Sequence, residues 1–456
     1  MELIFGVLLI ALGVSLPLFY KFWHKTVIRT LASNYLKMLG LFGVIIGGIF
    51  LYFGIPESPI YYQPWNYIVI LIGILSIFRG LLFLFFSDWA KTIALDHFKK
   101  FMIFGTLFLF AIGTVLLLES ARDKTPFEPL VGCESNDEIQ VVCGFKNPED
   151  LVIIPDGSGL IVSEYGGQKP IQEEGVGKIS LLNLKTLKKE KIDILYGSNE
   201  WGDEKCLRKD SDLIGPHGID LVKRKDGQYQ LAVVSHLPDE RIEMYKLFKE
   251  DQTWNLEWKG CVSTENKYYL NDVSLTDSGS FYATHMFPRN FSMEKWILAY
   301  YFKFNTGFVI KWEKKNGFTE LRYTSGAYPN GLSYDPEKNY LAVNYNLGDS
   351  TSLYDLESKQ HLATYKTNSP DNIVLQDNDY WVVSHDSNIY DYARCGLNEN
   401  CTLPWSISIL NRNTLDLKNK ISFKNTNMGP GTVALMENER VWLGSFRSNR
   451  LGYITQ

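Results

Sequence analysis

The sequence predicts an all-β six-bladed β-propeller, preceded by an α-helical transmembrane bundle of about four helices. One observation is a change in composition: residues 1–120 are dominated by Leu, Ile, Phe and Gly, whereas the rest of the 456-residue chain mixes polar and apolar residues. The other is a unit that occurs six times after residue 146, in which a short polar group precedes an apolar strand, a turn and a second strand. We assign residues 1–120 to the membrane, residues 121–130 to a linker and residues 131–456 to the propeller.

The membrane part contains four apolar runs that are long enough to span a bilayer as helices, which takes about 20 residues each. They are Leu3–Phe19, Leu39–Ile55, Tyr67–Phe86 and Phe101–Leu118. Lysine and arginine occur in the first and third connecting loops but not in the second, so the positive-inside rule places the two basic loops in the cytoplasm. Both termini, and with them the propeller, are predicted on the periplasmic or extracellular side. The lipid bilayer is the expected partner of these helices, which we interpret mainly as an anchor.

The cysteines and the net charge restrict the function classes. All six cysteines lie after the apolar part and none belongs to a CxxC pair, which argues against a zinc ribbon. An even number in one region favours disulfides formed in an oxidising compartment, with Cys133–Cys143 and Cys395–Cys401 as candidate local loops. Sequence does not determine the pairing, and buried free thiols remain the alternative. A net charge of −5 without a long basic block gives no reason to expect a nucleic-acid partner.

The six repeated units are predicted to be β-structure because their apolar runs are rich in β-branched and aromatic residues and alternate with Asp-Gly, Asn-Gly and Pro-Glu turns. We call the short polar group at the start of each unit its opener. The openers begin near positions 149, 217, 271, 330, 371 and 431. A two-sheet sandwich is the structural alternative, but it does not explain why every repeat starts with the same polar element. In a propeller the innermost strands line one channel, so all six openers are expected to converge at one end of its axis.

The openers supply the oxygen ligands that calcium prefers. Every residue except the histidine offers a carboxylate or amide oxygen, and Ca²⁺ takes about six to eight oxygens. No thiolate is present, which argues against zinc or copper. Each Asn or Asp alone is an ordinary turn residue, but their recurrence at the same phase in four blades favours a metal site. The residues are Glu149, Asp150, His217, Asn271, Asp272, Asn330, Asp371 and Asn372.

Four of the seven histidines occupy equivalent positions in the repeats. His217 begins one unit, whereas His236, His285 and His385 close the second strand of theirs, in VVSH, YATH and VVSH. Scattered surface histidines would not follow the repeat in this way. We therefore interpret all four as candidate site residues, although for any one of them a satisfied core or surface histidine is the alternative.

From about Phe127 to its end, the chain resembles the paraoxonase/arylesterase family of six-bladed, calcium-dependent lactonases. The shared motifs are, in order, the acidic pair in PEDLVIIPDG, HGI at 217–219, SH-x-P at 235–238, LND at 270–272, PNG at 329–331 and DNI at 371–373. The resemblance implies two calcium ions in the channel. It assigns a catalytic ion to Glu149, Asn271, Asn330, Asp371 and Asn372, and a structural ion to Asp150, Asp272 and the backbone carbonyl of Ile219.

The resemblance also implies hydrolysis of a small-molecule lactone or aryl ester, with calcium polarising the carbonyl group. His217 is the expected general base and His236 its orienting partner, with Glu149 or Asp371 as the alternative base. Two other functions remain open: a calcium-stabilised binding or scaffolding propeller, and a related sugar-lactone hydrolase. The lack of G-x-S-x-G and of HExxH argues against serine-hydrolase chemistry and against the commonest zinc proteases.

The sequence departs from the family pattern in three places. Members carry Asn-Asp-His where this chain has His285, Met286 and Phe287, so an acidic pocket residue is missing and the substrate class is left open; His285 and His385 are still expected at the substrate pocket. The family's ring-closing disulfide has no cysteine in the final strand, RLGYITQ, so strand pairing or other bridges must close the ring. A multi-helix segment replaces the usual single N-terminal helix. The oligomeric state is not determined by the sequence.

Overall fold

The computed structural model describes residues 2–32, 36–55, 64–121, 130–165, 175–209, 212–264, 267–387, 395, 401–424 and 426–455. These residues form two compact units, one within Met1–Lys124 and the other within Thr125–Gln456. Most of the predicted linker, residues 122–129, lies outside the described residues.

The described part of the first unit consists of six helices. They are α1 (Glu2–Leu18), α2 (Tyr20–Ala32), α3 (Leu36–Gly54), α4 (Pro64–Phe85), α5 (Ser87–Asp96) and α6 (Phe98–Ala121). The four predicted apolar runs coincide with α1, α3, α4 and α6, whereas α2 and α5 occupy the basic segments that were expected to be loops. Among the described helices, α4 and α6 are each long and apolar enough to cross a membrane. Helices α1 and α2 form a third span only if they are counted as one helix pair with a 94° bend. The apolar stretch of α3 is shorter than the length required for a span. The predicted number of four spans is therefore approximate.

Glycines bring the apolar helices close together in two antiparallel pairs, α3 with α4 and α1 with α6. A Cβ atom at Gly47 would lie 2.7 Å from the carbonyl oxygen of Gly73, and one at Gly40 would lie 2.8 Å from that of Gly80. Contact through small residues is a common way for helices to associate in a bilayer. The packing of this unit is therefore suited to membrane association.

The second unit is a six-bladed propeller, as the sequence predicts. The first blade contains β2 (Pro148–Ile153), β3 (Gly159–Glu164), β4 (Lys178–Asn183) and β5 (Lys188–Glu190). The second contains β7 (Pro216–Lys223), β8 (Tyr229–Ser235), β9 (Arg241–Glu250), β10 (Thr253–Ser263) and, parallel to β10, β6 (Ile194–Tyr196). The third contains β11 (Leu270–Leu275), β12 (Phe281–His285), β13 (Gly307–Glu313) and β14 (Gly317–Gly326), with helix α7 (Met293–Phe302) between β12 and β13.

The remaining three blades repeat the same antiparallel order. The fourth contains β15 (Pro329–Asp335), β16 (Tyr340–Tyr345), β17 (Ser350–Asp355) and β18 (Gln360–Lys366), and the fifth contains β19 (Pro370–Gln376), β20 (Asp379–His385), β21 (Trp405–Asn411) and β22 (Leu417–Phe423). The sixth contains β23 (Gly431–Glu437), β24 (Arg440–Ser445), β25 (Arg450–Thr455) and β1 (Gln140–Cys143). The first strands of neighbouring blades contact one another in a closed ring, which makes them the innermost strands. Six apolar clusters fill the spaces between adjacent blades.

Strand pairing closes the ring. Strand β1 pairs antiparallel with β25, with Val142 opposite Leu451, so the first strand of the propeller completes its last blade. The predicted disulfides Cys133–Cys143 and Cys395–Cys401 are both present, and Cys206–Cys261 is the third. Cys133–Cys143 is attached to the closing strand itself. The absence of a cysteine from the final strand is thus compensated by main-chain hydrogen bonds.

Every opener lies at an irregularity of its innermost strand. In all six blades the pairing register between the first and second strands shifts at the opener, for example between Pro216 and Ile219 and between Leu270 and Val273. Such a bulge takes residues out of the ladder and re-aims their side chains. The repeat in the sequence is therefore a repeated bulge, and it is this local geometry that turns the opener side chains toward the channel.

Candidate active site

The openers converge at one end of the channel around a small cavity of about 40 Å³. Opener side chains from five blades line it: Glu149, His217, Asn271, Asn330 and Asp371. Asn372 belongs to the same cluster because its Nδ2 donates to Glu149 Oε1 over 2.9 Å. The sixth opener contributes Thr432, whose hydroxyl donates to the backbone carbonyl of Glu149 over 2.5 Å. The structure thus brings together all five side chains that the sequence analysis assigned to a catalytic ion.

Four buried oxygen atoms of this cluster accept no hydrogen bond from any described residue. They are Glu149 Oε2, Asn271 Oδ1, Asn330 Oδ1 and Asn372 Oδ1. Each unpaired buried acceptor costs about 1–3 kcal/mol, so four in one cluster is expected where a cation supplies the missing partner. Carboxylate and amide oxygens without thiolates are the donors that Ca²⁺ takes. The residues present therefore fit a calcium ion. Because amides dominate the cluster, no group of three or more His, Cys, Asp or Glu suited to a metal occurs among the described residues.

The two carboxylates of the cluster are destabilised in their charged forms. Burial raises the pKa of Glu149 well above its ordinary value, and the neighbouring carboxylates of Asp150, Asp371 and Asp272 raise it further. Burial likewise raises the pKa of Asp371 to about 7. Both shifts favour the protonated forms, and a divalent cation beside the carboxylates would favour the charged forms instead.

The acids predicted for a structural ion lie deeper in the channel. Asp150 accepts backbone N–H groups from Leu151 (2.8 Å) and Ile219 (2.7 Å), and Asp272 accepts those of Val273 (2.7 Å) and Leu332 (2.9 Å). Both acids line a cavity of about 440 Å³ together with Ile219. Burial raises the pKa of Asp150 to about 7 and that of Asp272 well above its ordinary value. Each carboxylate therefore connects two neighbouring blades and still has acceptor capacity toward the channel.

Asp220 is a third acid of this kind that the sequence analysis missed. Its carboxylate accepts the backbone N–H groups of Leu221 over 2.8 Å and of Leu275 over 2.6 Å, so it connects the second blade to the third. Burial raises its pKa to about 6. Its position directly after the HGI motif, on the same innermost strand, could have indicated that Asp220 lies in the channel.

The predicted base and its partner form a short chain of hydrogen bonds. His217 Nδ1 lies 2.9 Å from His236 Nε2, and His236 Nδ1 lies 3.0 Å from both carboxylate oxygens of Glu240. Glu240 also accepts from the backbone N–H of Leu270 and from Arg289, over 2.8 and 2.5 Å. We call this chain the His217–His236–Glu240 relay. Glu240 was not predicted, although it lies four residues after His236 in SHLPDE.

The partners in the relay determine the histidine tautomers. A carboxylate paired with arginine only accepts hydrogen bonds, so His236 carries its proton on Nδ1 and leaves Nε2 as an acceptor. His217 then carries its proton on Nδ1, and its Nε2 lone pair faces the Nδ2 group of Asn271 at 3.4 Å. Burial, with a smaller effect from His236, lowers the pKa of His217 well below its ordinary value, so the ring is neutral near pH 7. His217 is therefore unprotonated at Nε2, and the Asn271 amide that points its N–H at His217 has its oxygen among the unpaired oxygens of the cluster.

His285 is not among the described residues that line the cavity. Its Nδ1 accepts the backbone N–H of Tyr269 over 3.0 Å, and its ring packs against Tyr268 and Phe308. Burial lowers its pKa to about 4. The geometry makes His285 a neutral support of the Tyr269 backbone, in contrast to the pocket role expected from its position in the repeat.

His385 lies behind the cluster. Its Nε2 donates to the carbonyl of Gly431 over 2.8 Å and is 3.5 Å from Asp371 Oδ2. Burial lowers its pKa to about 4, so it contacts Asp371 as a neutral ring. His385 therefore lies against Asp371 and the backbone of Gly431, which differs from the expected position in the substrate pocket.

The wall of the cavity is mostly apolar, which the sequence analysis did not foresee. Side chains of Tyr165, Tyr269, Met286, Phe287, Tyr328 and Phe446 surround the polar cluster. Met286 Sδ lies 3.5 Å from Asn271 Nδ2, and the ring of Tyr165 lies 4.5 Å from that of His217. Met286, at the position of the missing acid, therefore contacts Asn271 of the polar cluster directly, and the wall suits an uncharged, apolar group.

Three comparisons place the propeller among known proteins. Residues 138–401 match the family model named Arylesterase. "Serum paraoxonase/lactonase 3" from Homo sapiens is 27% identical over 173 residues, which is 37% of this chain and 43% of that protein, so the match spans less than half of the relative. Among solved structures, a luciferin-regenerating enzyme has a TM-score of 0.43 at 10% identity, covering 73% of this chain and 96% of its own. A gluconolactonase from Xanthomonas campestris has a TM-score of 0.39 at 10% identity, covering 74% and 98%.

The pH dependence of stability tests the placement of His285. Its folded pKa of about 4 lies below the unfolded value of about 6.5, so its stabilising effect is complete above pH 6.5 and is lost as the pH falls toward 4. Between pH 7 and pH 4 the wild type should lose about 3 kcal/mol more unfolding free energy than His285→Gln, which keeps an acceptor for Tyr269. Denaturant unfolding at several pH values measures this difference. His361→Gln, at an exposed position, should behave as the wild type; identical pH profiles for all three proteins would contradict the placement.

Proposed function

Because the chain belongs to the arylesterase family, whose model covers residues 138–401, we propose that its propeller is a calcium-dependent hydrolase of lactones or aryl esters. The observation that carries the proposal is the cluster of unpaired buried oxygens beside a neutral histidine that lines the same cavity and has its Nε2 next to Asn271. A metal-binding scaffold would need the oxygens but not the relay. A calcium-independent hydrolase would need the relay but not the oxygens.

The proposed ligands divide into two sets. Glu149, Asn271, Asn330, Asp371 and Asn372 would hold the ion that meets substrate. Asp150, Asp272 and the carbonyl of Ile219 would hold an ion deeper in the channel. When bound beside the cavity, calcium supplies a positive charge that polarises the substrate carbonyl and stabilises the negative charge that develops on its oxygen.

The chain's own residues supply the proton transfers. In the proposed reaction a water molecule gives one proton to His217 Nε2 while its oxygen bonds to the carbonyl carbon. The bond from that carbon to the alkoxy or aryloxy oxygen breaks, and His217 returns the proton to the leaving oxygen. The products are a carboxylic acid and an alcohol or phenol; for a lactone both groups are on one molecule. The apolar wall around His217 excludes bulk water and favours an uncharged substrate.

A carboxylate base is the rival assignment, and the geometry favours the histidine. Glu149 and Asp371 both belong to the proposed ligand set, and a carboxylate that donates its electrons to a cation is a weak base. His217 does not belong to that set; it lines the cavity, and its Nε2 lies 3.4 Å from the amide nitrogen of Asn271. We therefore keep His217 as the proposed base and His236 as the residue that orients it.

The membrane part completes the proposal. Two described helices are able to cross a bilayer, which supports membrane association. We propose that they anchor the enzyme with its propeller outside the cytoplasm, the orientation that the basic segments favour and the compartment in which disulfides persist. The proposed partners are then the lipid bilayer and a small-molecule ester or lactone, with no nucleic acid.

Calcium removal should make stability pH-dependent. In the calcium-free protein, Asp150 and Asp371 have folded pKa values of about 7, above the unfolded value. The folded state therefore keeps protons that the unfolded chain releases, and stability falls as the pH rises from about 4 to 7. We expect calcium to raise the thermal midpoint by roughly 5 °C more at pH 7.5 than at pH 5. Scanning calorimetry with calcium or with chelator measures this. Magnesium is the control ion, and an equal calcium effect at both pH values would count against buried carboxylate ligands.

Activity should depend on both the ion and the relay. Chelation should abolish hydrolysis of aryl esters and lactones. His217→Gln should lower kcat about 10²- to 10⁴-fold. Asn271→Ala should raise the calcium concentration that gives half-maximal activity by at least roughly tenfold. Steady-state kinetics of the full chain on both substrate classes, over a range of free calcium, provides the test. His361→Gln should retain full activity. Turnover that survives chelation and both substitutions would refute the site, and calcium binding without turnover on any substrate would favour a scaffold.

A further inference from the structure

Glu240 connects the proposed base to the rest of the protein and is fully buried. Both of its carboxylate oxygens lie 3.0 Å from His236 Nδ1. Its Oε1 accepts the N–H of Leu270, the residue before the ligand Asn271, and its Oε2 accepts Nη2 of Arg289. Its backbone carbonyl is fixed too, because it accepts from both the N–H and the hydroxyl of Thr264. These contacts hold both carboxylate oxygens of Glu240 against His236.

The position of this carboxylate decides where two protons reside. A neutral imidazole exchanges its proton between two nitrogens unless a neighbour selects one of them. Glu240 selects Nδ1 of His236, which leaves His236 Nε2 able only to accept. His217 must then donate from Nδ1, which leaves a lone pair on its Nε2, beside Asn271 in the residue set that lines the cavity. With the opposite tautomers a proton would occupy that site, and His217 would be unable to accept one from water.

We propose that Glu240 is a positioning residue for the hydrolysis: it keeps the proton of His236 on Nδ1, thereby holds His217 ready to accept a proton at Nε2, and stabilises the positive charge that results, while Arg289 balances the charge of Glu240 between turnovers. The inference rests on the proposed function. It adds the buried carboxylate of Glu240 to the groups on which the rate depends, although His236 and His217 lie between Glu240 and the reacting atoms.

The relay gains no net proton in one turnover. When His217 Nε2 takes a proton from water, its Nδ1–H bond to His236 strengthens and the positive charge is shared along the 2.9 Å contact toward Glu240. Glu240 itself takes no proton. When His217 returns its proton to the leaving oxygen, the chain is neutral again apart from the Glu240–Arg289 pair. No oxidant, reductant or further co-reactant is required.

The same region of the second blade contains a matched control for a merely structural ion pair. Glu243 is also fully buried, pairs with Arg208 over 2.5 Å and accepts Trp258 Nε1 over 2.7 Å. It lies only three residues after Glu240, and no hydrogen bond or ion pair joins it to a histidine among the described residues. Loss of its charge should affect stability but not the tautomers of the relay.

The test compares Glu240→Gln, Glu240→Asp and Glu243→Gln in the full-length protein, with thermal midpoints to verify folding. Glu240→Gln should lower kcat at least about 10²-fold with KM changed less than about threefold, because binding does not use the carboxylate. Glu240→Asp should recover at least about a tenth of the wild-type kcat. Glu243→Gln should keep wild-type kcat even if its midpoint falls.

A second readout does not depend on turnover. With ¹⁵N-labelled histidine, the wild type should show His236 protonated only at Nδ1. Glu240→Gln should show both tautomers, because Leu270 and Arg289 compete with the histidine for the single amide oxygen. Unchanged tautomers and a kcat within about threefold of the wild type in Glu240→Gln would overturn the inference, as would equal losses of kcat in Glu240→Gln and Glu243→Gln. If the wild type hydrolyses no ester or lactone, the proposed function fails, and the tautomers alone decide whether Glu240 orients the histidines.

Discussion

Buried negative charge at the channel axis is the constraint on which the rest of the propeller depends. Glu149, Asp150, Asp272 and Asp371 are all buried, and no lysine or arginine forms an ion pair with any of them in the described part of the chain. Carboxylates in such surroundings must be protonated or must bind a cation, because an isolated buried charge is too costly. The unpaired amide oxygens beside Glu149 favour the cation. A bound cation would explain why the propeller contains a cluster of carboxylates whose charges are otherwise unfavourable.

The fold supplies the cluster through a repeated local distortion and fixes it with bonds between blades. Each innermost strand bulges at its opener, and side chains at the openers and farther along the strands connect consecutive blades around the ring. Asp150, Asp220 and Asp272 accept N–H groups from the next blade, Asn344 donates to the carbonyl of Asp371, and Gln376 pairs with the backbone of the sixth blade. Thr432 returns to the first blade. The groups proposed to bind calcium therefore belong to the same network that holds the blades together, so calcium binding would be coupled to stability.

The repeat made the architecture and the ligand cluster predictable, because a fixed phase in six blades implies convergence at one end of the axis. Closure by strand pairing was also foreseeable from the missing cysteine in the final strand. Only part of the relay was predictable. The positions of His217 and His236 in the repeats indicated both histidines, but Glu240 has no counterpart in the other repeats. The phase specifies which strand end His285 and His385 occupy, but not whether a side chain turns to the channel or to the adjacent backbone, and both histidines contact backbone groups here. The apolar wall was missed because its residues come from loops between strands.

The number of calcium ions bound by the full-length protein tests the central claim most directly. Equilibrium dialysis against labelled calcium should find two ions per chain in the wild type. Asn330→Ala, which removes one of the unpaired oxygens, should leave the deeper ion bound and abolish or weaken binding of the other. Asp272→Asn should act mainly on the deeper ion. A wild-type protein that binds no calcium at millimolar concentration, or variants that bind as the wild type does, would contradict the account.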